Sequence, residues 1–301
     1  MKSRLHFVVT AGPTREHLDP VRFLSNPSTG RMGFAVARAA RRAGHDVTLI
    51  AGPVSLKTPK GVNRVDVVSA RDMLAAVVEQ VNVERPNVER SREDGVDGVV
   101  LVMTAAVADW RPADCATKKL KKGEMSGTLK LVRNPDILRT INELIHGRSV
   151  PDLSTFQPFN PSTPFVRIGF AAETGAPVAE AARKCREKGL DLVVGNDVTA
   201  KGCGFGTTTN RVTFVHPDGT ADPLPLMSKD AVARRIVRFA ERAAALHVST
   251  GLWYDSDKGM KLRRLPGGER LDFSRARACS RARARTCRSS ATRTGTRCRT
   301  S

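Results

Sequence analysis

The feature that most constrains this fold is a punctuation repeated early in the chain. Leu5–Thr10 (LHFVVT) is a short apolar run that stops at Ala11-Gly12-Pro13, and Asp46–Ile50 (DVTLI) is a second that stops at Gly52-Pro53. Short runs that are apolar almost throughout and closed by a turn signal read as buried strands. Between them, Gly30–Ala43 carries Val36, Ala40 and Ala43 at helical spacing, with Arg38, Arg41 and Arg42 on the other face. That is an amphipathic helix, and Gly44 closes it. Apolar strands separated by helices argue for a parallel sheet covered on both faces.

The rest of the chain continues the pattern. Val65–Val68 and Asp97–Met103 (DGVVLVM) read as strands, Ala70–Val83 as a helix and Arg85–Gly95 as a polar connector. Leu129–Arg133, Val166–Phe170 and Asp191–Gly195 read as strands, Pro151–Pro164 as a Pro/Ser-rich loop and Pro177–Lys188 as a helix. Arg211–His216 and Ala221–Leu226 flank Pro217-Asp218-Gly219, a hairpin signal. Ser228 is an N-cap candidate for a last helix striped by Val232, Ile236, Phe239 and Ala243. The expected fold is α/β, a doubly wound, Rossmann-like, mainly parallel sheet with helices on both faces.

Beyond about residue 250 the periodicity stops. Residues 251–301 hold 14 Lys or Arg against 4 Asp or Glu, a net of +10 out of +20 for the whole chain. The organisation expected is one domain over 1–250 and a basic, low-complexity, disordered tail over 251–301. No apolar run reaches the ~18 residues of a membrane span. The first residues lack the apolar core of a signal peptide, which reads as a cytoplasmic protein. Cys115, Cys185, Cys203, Cys279, Cys287 and Cys298 include no CxxC pair, which fits a reducing compartment. His6, His17, His45, His146, His216 and His247 form no metal-spaced pair.

The first strand-loop-helix unit is the natural place for a nucleotide. It lacks the dinucleotide fingerprint: the loop runs from Ala11 to Thr29, only Gly30-x-x-Gly33 resembles the motif's end, and Ala51-Gly52 stand where a ribose-binding acid belongs. A nicotinamide cofactor is therefore disfavoured. Ser28, Thr29 and the backbone N–H groups around Gly30–Gly33 open a helix, a setting that favours anions, and Asn26 precedes it. From spacing alone, an anion site and a long structural turn with Ser/Thr capping stand equal.

The ordered segments AGPTRE, LDPVRFLSNPSTGRMG, VTLIAGPVSL, AAVADW, KLKK, NPDIL, GFAAET and NDV resemble the bacterial phosphopantothenate–cysteine ligase domain. This is the synthetase half of the coenzyme A flavoprotein family. The resemblance runs from about Leu5 to Ala245. It implies a stand-alone, CTP-dependent ligase, because the chain starts at the ligase's own first strand. CTP with Mg²⁺ would activate the carboxylate of 4'-phosphopantothenate as an acyl-cytidylate, releasing pyrophosphate. L-Cysteine would then give phosphopantothenoylcysteine and CMP. It also implies a homodimer and a separate flavin-dependent phosphopantothenoylcysteine decarboxylase as a partner.

The resemblance assigns roles residue by residue. Asn26 matches the catalytic asparagine. Lys119, first lysine of KLKK, matches a catalytic, triphosphate-contacting lysine, with Lys121 and Lys122 completing the motif. Met103, Thr104, Ala105 and Asp109 match the base-binding stretch. Pro135, Asp136, Ile137 and Leu138 would open a helix near the triphosphate, with Pro135 at its first position. Phe170 would pack on the nucleotide, and Lys184 and Lys188 would face its phosphates. Arg22, Asn26, Ser28, Thr29 and Gly30 would bind substrate. The family's Ser-Ser-Gly-Lys is Ser28-Thr29-Gly30-Arg31 here, which keeps the hydroxyl and the charge. The alternatives are a nucleic-acid-binding protein using the basic tail and an ATP-dependent form of the ligase.

Overall fold

In this computed structural model, the described residues are 3–81, 96–121, 127–148, 150, 163–173, 177–197, 199–250, 252–255 and 259–262. The Arg85–Gly95 connector, Lys122, nearly all of the Pro151–Pro164 loop and the tail beyond 262 lie outside them. In chain order, β1 is Arg4–Ala11, β2 Arg15–His17, β3 Phe23–Ser25, α1 Arg31–Arg42, β4 Asp46–Ala51, β5 Asn63–Asp66 and α2 Ala70–Val81. Then come β6 Val96–Met103, β7 Trp110–Pro112, β8 Leu131–Arg133, α3 Ile137–Ile145, β9 Phe165–Glu173, α4 Pro177–Glu187 and β10 Leu192–Asp197. Last come β11 Thr209–Asn210, β12 Val212–Val215, β13 Ala221–Pro223, β14 Met227–Ser228, α5 Lys229–Thr250, β15 Leu252–Asp255 and β16 Gly259–Leu262.

The expected sheet is present. Eight strands run in the order β13-β12-β10-β9-β6-β1-β4-β5. β5, β4, β1, β6, β9 and β10 are parallel, and the β12–β13 hairpin adds two antiparallel strands at one edge. Alternation along the strands builds two layers. Leu5, Phe7 and Val9 of β1 join the core under α1 and α5, with Val36, Ala40, Val232 and Ile236. Val8, Ile50, Leu101 and Met103 face the other way, toward Met73 and Val77 of α2 and Ile141 of α3. α4 covers the same side further along, with Ala181 and Cys185 on Val193 and Val215. No helix among the described residues is long and apolar enough to cross a membrane.

Pairing, rather than apolarity, sets the ends of several elements. The third strand is Asn63–Asp66, two residues earlier than Val65–Val68, because β5 registers on β4 from Thr48↔Asn63 to Ala51↔Asp66. The Ala11–Thr29 stretch, read as one loop, holds the β2–β3 hairpin, paired from Arg15↔Ser25 to His17↔Phe23. Pro135 is not at the first helical position: Asp136 is the N-cap of α3, accepting from the Arg139 N–H at 3.1 Å, so the proline precedes the cap. Ser228 does cap α5, accepting from the Ala231 N–H at 3.2 Å. Within the segment read as tail, β15 and β16 form a two-stranded sheet. The first compact unit ends at Lys261, one residue before the end of β16.

The Gly-Pro punctuation has a steric reason. A Cβ on Gly52 would lie 1.8 Å from the Pro13 carbonyl oxygen, so the turns after β1 and β4 touch backbone to backbone. Gly52→Ala should cost about 2 kcal/mol or more in denaturant unfolding. Gly127→Ala, where an added Cβ meets nothing, should leave the midpoint unchanged.

Candidate active site

Helix α1 is brought to the sheet edge by glycines. A Cβ on Gly33 would fall 2.5 Å from the Ala11 Cβ and 2.6 Å from the Thr104 Oγ1. Gly30, the N-cap, sits at φ 75° against Gly12, itself at φ 82°. No side chain caps α1 and no acid stands in its first turn. Its leading N–H groups and the positive end of its dipole therefore meet the space beyond β1, an arrangement suited to an anion.

The turn after β6 is built onto the same edge. The Thr104 hydroxyl donates to the Thr10 carbonyl at 2.6 Å, and the Thr10 Oγ1 accepts from the Ala105 N–H at 3.2 Å. Ala106 N–H donates to the Gly12 carbonyl at 2.9 Å. Asn26 reads this turn directly: its Nδ2 donates to the carbonyls of Ala106 at 3.1 Å and Val107 at 3.3 Å. Two carbonyl acceptors fix which end of the amide faces the turn, so Oδ1 is the end left to accept a hydrogen bond.

A cavity of about 120 Å³ opens between these parts. The structure brings Ser28, Thr29, Gly30, Thr104, Ala105 and Phe170 together on its wall, as the sequence reading expects. It adds Asn196, Phe205, Asn210 and Lys229, which the sequence reading did not select as site residues. Asn196 had a legible signal, a polar residue ending an apolar strand. Lys229 and Asn210 had none, since each reaches the cleft from a different part of the fold.

The other expected residues do not line this cavity. Met103 is buried in the layer under α2 and α3, its sulfur accepting from the Thr10 hydroxyl at 3.5 Å; alternation puts it on the face opposite the cleft. Asp109 is exposed beside the β7–β8 pair, with its carbonyl accepting from the Asn134 N–H at 2.8 Å. Ile137 and Leu138 pack in the α3 core. Asp136 caps α3 and pairs with Lys188 at 2.7 Å, while Lys184 lies 3.7 Å from Glu180. Arg22 is held by the fully buried carboxylate of Asp19 and donates to the Leu120 carbonyl at 3.0 Å. Asp19 also accepts from the Leu120 N–H at 3.3 Å, so this pair clasps the strand of chain that carries the exposed Lys119.

Comparison with known proteins places this architecture. Residues 3–243 match the model of the DNA/pantothenate metabolism flavoprotein C-terminal domain. The chain belongs to this family. It is 41% identical over 233 residues to the coenzyme A biosynthesis bifunctional protein CoaBC of Vibrio vulnificus, covering 77% of this chain and 50% of that protein. It is 42% identical over 247 residues to CoaBC of Bacillus subtilis, covering 82% and 52%. The chain thus spans about half the length of the curated relatives it matches. The solved C-terminal domain of a CoaBC is 35% identical, with TM-score 0.56, covering 80% of this chain and 95% of that one.

In this member of the family, no group of three or more His, Cys, Asp or Glu among the described residues could hold a metal ion. The described side chains therefore do not form a protein cage for Mg²⁺. None of the three cysteines among the described residues lines the cleft. Cys185 donates to the Leu190 carbonyl at 3.1 Å, and burial pushes its thiol up to about 12. Cys203 is buried and accepts from the Arg211 N–H, and Cys115 is exposed away from the cavity.

The Asp19 clasp has a testable signature. Hydrogen bonds from the Arg22 side chain, then from backbone N–H groups, hold its carboxyl well below the usual carboxylate range. A depressed value means the clasp is complete above about pH 4 and is lost only as the pH falls through the lower folded value. Asp19→Asn should raise the rate of limited trypsin cleavage around Lys118–Lys121 roughly tenfold at neutral pH, by freeing that segment locally. An unchanged cleavage rate would remove Asp19 as its anchor.

Proposed function

We propose that this chain is a CTP-dependent phosphopantothenate–cysteine ligase acting in coenzyme A synthesis. The observation that carries the reading is a cleft headed by an uncapped helix N-terminus, with Asn26 hydrogen-bonded to the Ala106 carbonyl of the turn that lines it. Family membership and the ordered motifs around that cleft support the substrates.

The reaction needs two anions held together, then a nucleotidyl transfer followed by an acyl transfer. The carboxylate oxygen of 4'-phosphopantothenate forms a bond to the α-phosphorus of CTP, and the bond from that phosphorus to the pyrophosphate breaks. The cysteine amine then bonds to the acyl carbon, and the bond to CMP breaks. The first step is served by the N–H groups of α1, which neutralise phosphate charge without any proton transfer. Lys119 brings a cation on a neighbouring segment. Phe170 offers a flat apolar face on the cavity wall. Asn26, with its NH₂ committed to Ala106 and Val107, presents Oδ1 as an acceptor that can orient the incoming amine. The amine's proton leaves to water or to phosphate. Mg²⁺ would be held by the triphosphate oxygens and water, the common arrangement for this ion, and would supply charge neutralisation.

A homodimer fits the surface. Val21, Phe23, Trp110, Leu129 and Leu131 are exposed on or beside β2–β3 and β7–β8, and β2 packs against β7. A flavin-dependent phosphopantothenoylcysteine decarboxylase is the partner activity that would consume the product.

The decisive assay is pyrophosphate release with 4'-phosphopantothenate, Mg²⁺ and either CTP or ATP, with and without cysteine. Release should require phosphopantothenate and favour CTP, and cysteine should convert the intermediate to phosphopantothenoylcysteine. Release with neither nucleotide would refute the reading. Asn26→Asp should still release pyrophosphate but slow amide formation by roughly a hundredfold, since a carboxylate cannot donate to two carbonyls and repels them. Lys119→Gln should slow the activation step itself by about tenfold or more; unchanged pyrophosphate release would exclude it from the site.

A further inference from the structure

Lys229 opens α5 with only 7% of its surface exposed. No carboxylate pairs with its ammonium among the described residues. Its Nζ donates instead to the carbonyls of Gly204 at 2.9 Å and Phe205 at 3.4 Å. The Thr29 hydroxyl donates to the same Phe205 carbonyl at 2.7 Å, so the 204–205 segment is tied between the α1 N-terminus and the start of α5. An ammonium carries three protons, and these carbonyls use two. Burial lowers its pKa, and the nearby Arg31 lowers it further. A buried cation whose partners are neutral carbonyls is electrostatically incomplete.

The same cavity holds a second uncommitted group. Asn210 is 4% exposed, and its Oδ1 is buried with no hydrogen-bond partner. Its backbone is fixed by the β11–β14 pairing, Asn210↔Met227. Rotating the amide by 180° exchanges its acceptor and donor ends, so the group can present NH₂ to the cavity. Lys229 and Asn210 share this wall with the uncapped α1 N-terminus. Lys229 and Arg31 also line an adjoining cavity of about 250 Å³ with Lys57, Arg38 and Asp230, the last two paired at 2.6 Å. Arg31 and Lys57 thus carry positive charge past the helix end, on a path the Asn26 amide does not share.

Building on the ligase reading, we propose that Lys229 and Asn210 form a polyphosphate subsite, binding oxygens of the pyrophosphate portion of the nucleoside triphosphate. Lys229 supplies charge and its third proton, and Asn210 supplies amide donors. The subsite thereby sets nucleotide affinity, and Lys229 couples it to the 204–205 segment that it holds.

The test uses inorganic tripolyphosphate as the probe, measured by titration calorimetry on the full chain. Wild type should bind it, and Lys229→Met should weaken binding by tenfold to a hundredfold, the usual range for a charge-assisted contact. Asn210→Asp, which sets a carboxylate against the anion, should weaken it at least as much. Arg139→Gln, which removes an exposed cation on α3, should leave it unchanged and so excludes a general charge effect. Under turnover, both subsite variants should raise KM for CTP while leaving KM for phosphopantothenate unchanged. Should Lys229→Met fail to fold, Asn210→Asp carries the test. Failure of wild type to bind tripolyphosphate, or binding by both variants as tight as wild type, would overturn the subsite. The probe needs no ligase chemistry. Lys229-dependent binding without pyrophosphate release would keep the subsite and refute the ligase reading.

Discussion

Helix α1 must touch the backbone of β1, and only glycine lets it. A methyl at Gly33 would collide with both Ala11 and Thr104. With that approach made, the helix end falls at the edge where β1 and β6 stop, and the left-handed Gly30 turns the preceding chain across it. The anion-binding character of the cleft follows from this single close contact, because the N–H groups are uncapped and the first turn has no acid to occupy them.

Three separate segments are held by polar contacts rather than by apolar packing. Asn26 is hung from the carbonyls of the turn after β6. The Lys119 segment is hung from Asp19 and Arg22. The 204–205 segment is hung from Thr29 and Lys229. Hydrogen bonds of this kind fix direction while burying little surface, so such segments open at low cost compared with the sheet. The proposed reaction, which would admit two anions and an amine in turn, needs parts that are both aimed and releasable. Elsewhere, the same chemistry is structural: Arg167 of β9, buried against Asp191 and Asn142, ties β9 to α3 and to the chain entering β10.

The sheet was legible because its information is local. The short apolar runs of β1, β6 and β10 specify buried parallel strands whatever their partners are. Element ends were less legible, since β5 is placed by its register on β4 rather than by its own valines. The β2–β3 hairpin escaped notice because Arg15, Glu16 and His17 carry no apolar signal, yet they find partners in Phe23–Ser25.

The site divides in the same way. Ser28, Thr29 and Gly30 could be named from the chain because they open a recognisable helix, whereas Thr104, Ala105 and Phe170 were named only through the family resemblance. Lys188 could be aligned with Lys184 on one helix face, but its partner, Asp136 of α3, could not be foreseen. Sequence alone determined a doubly wound α/β core and a glycine-opened helix start after the first strand, because strand burial, helix amphipathicity and glycine placement are written in neighbouring residues. Tertiary structure alone decided that Lys229 and Asn210 face that helix start. They lie about 180 to 200 residues further along the chain, and only the crossing of strands and helices brings charges so distant in sequence into one cavity.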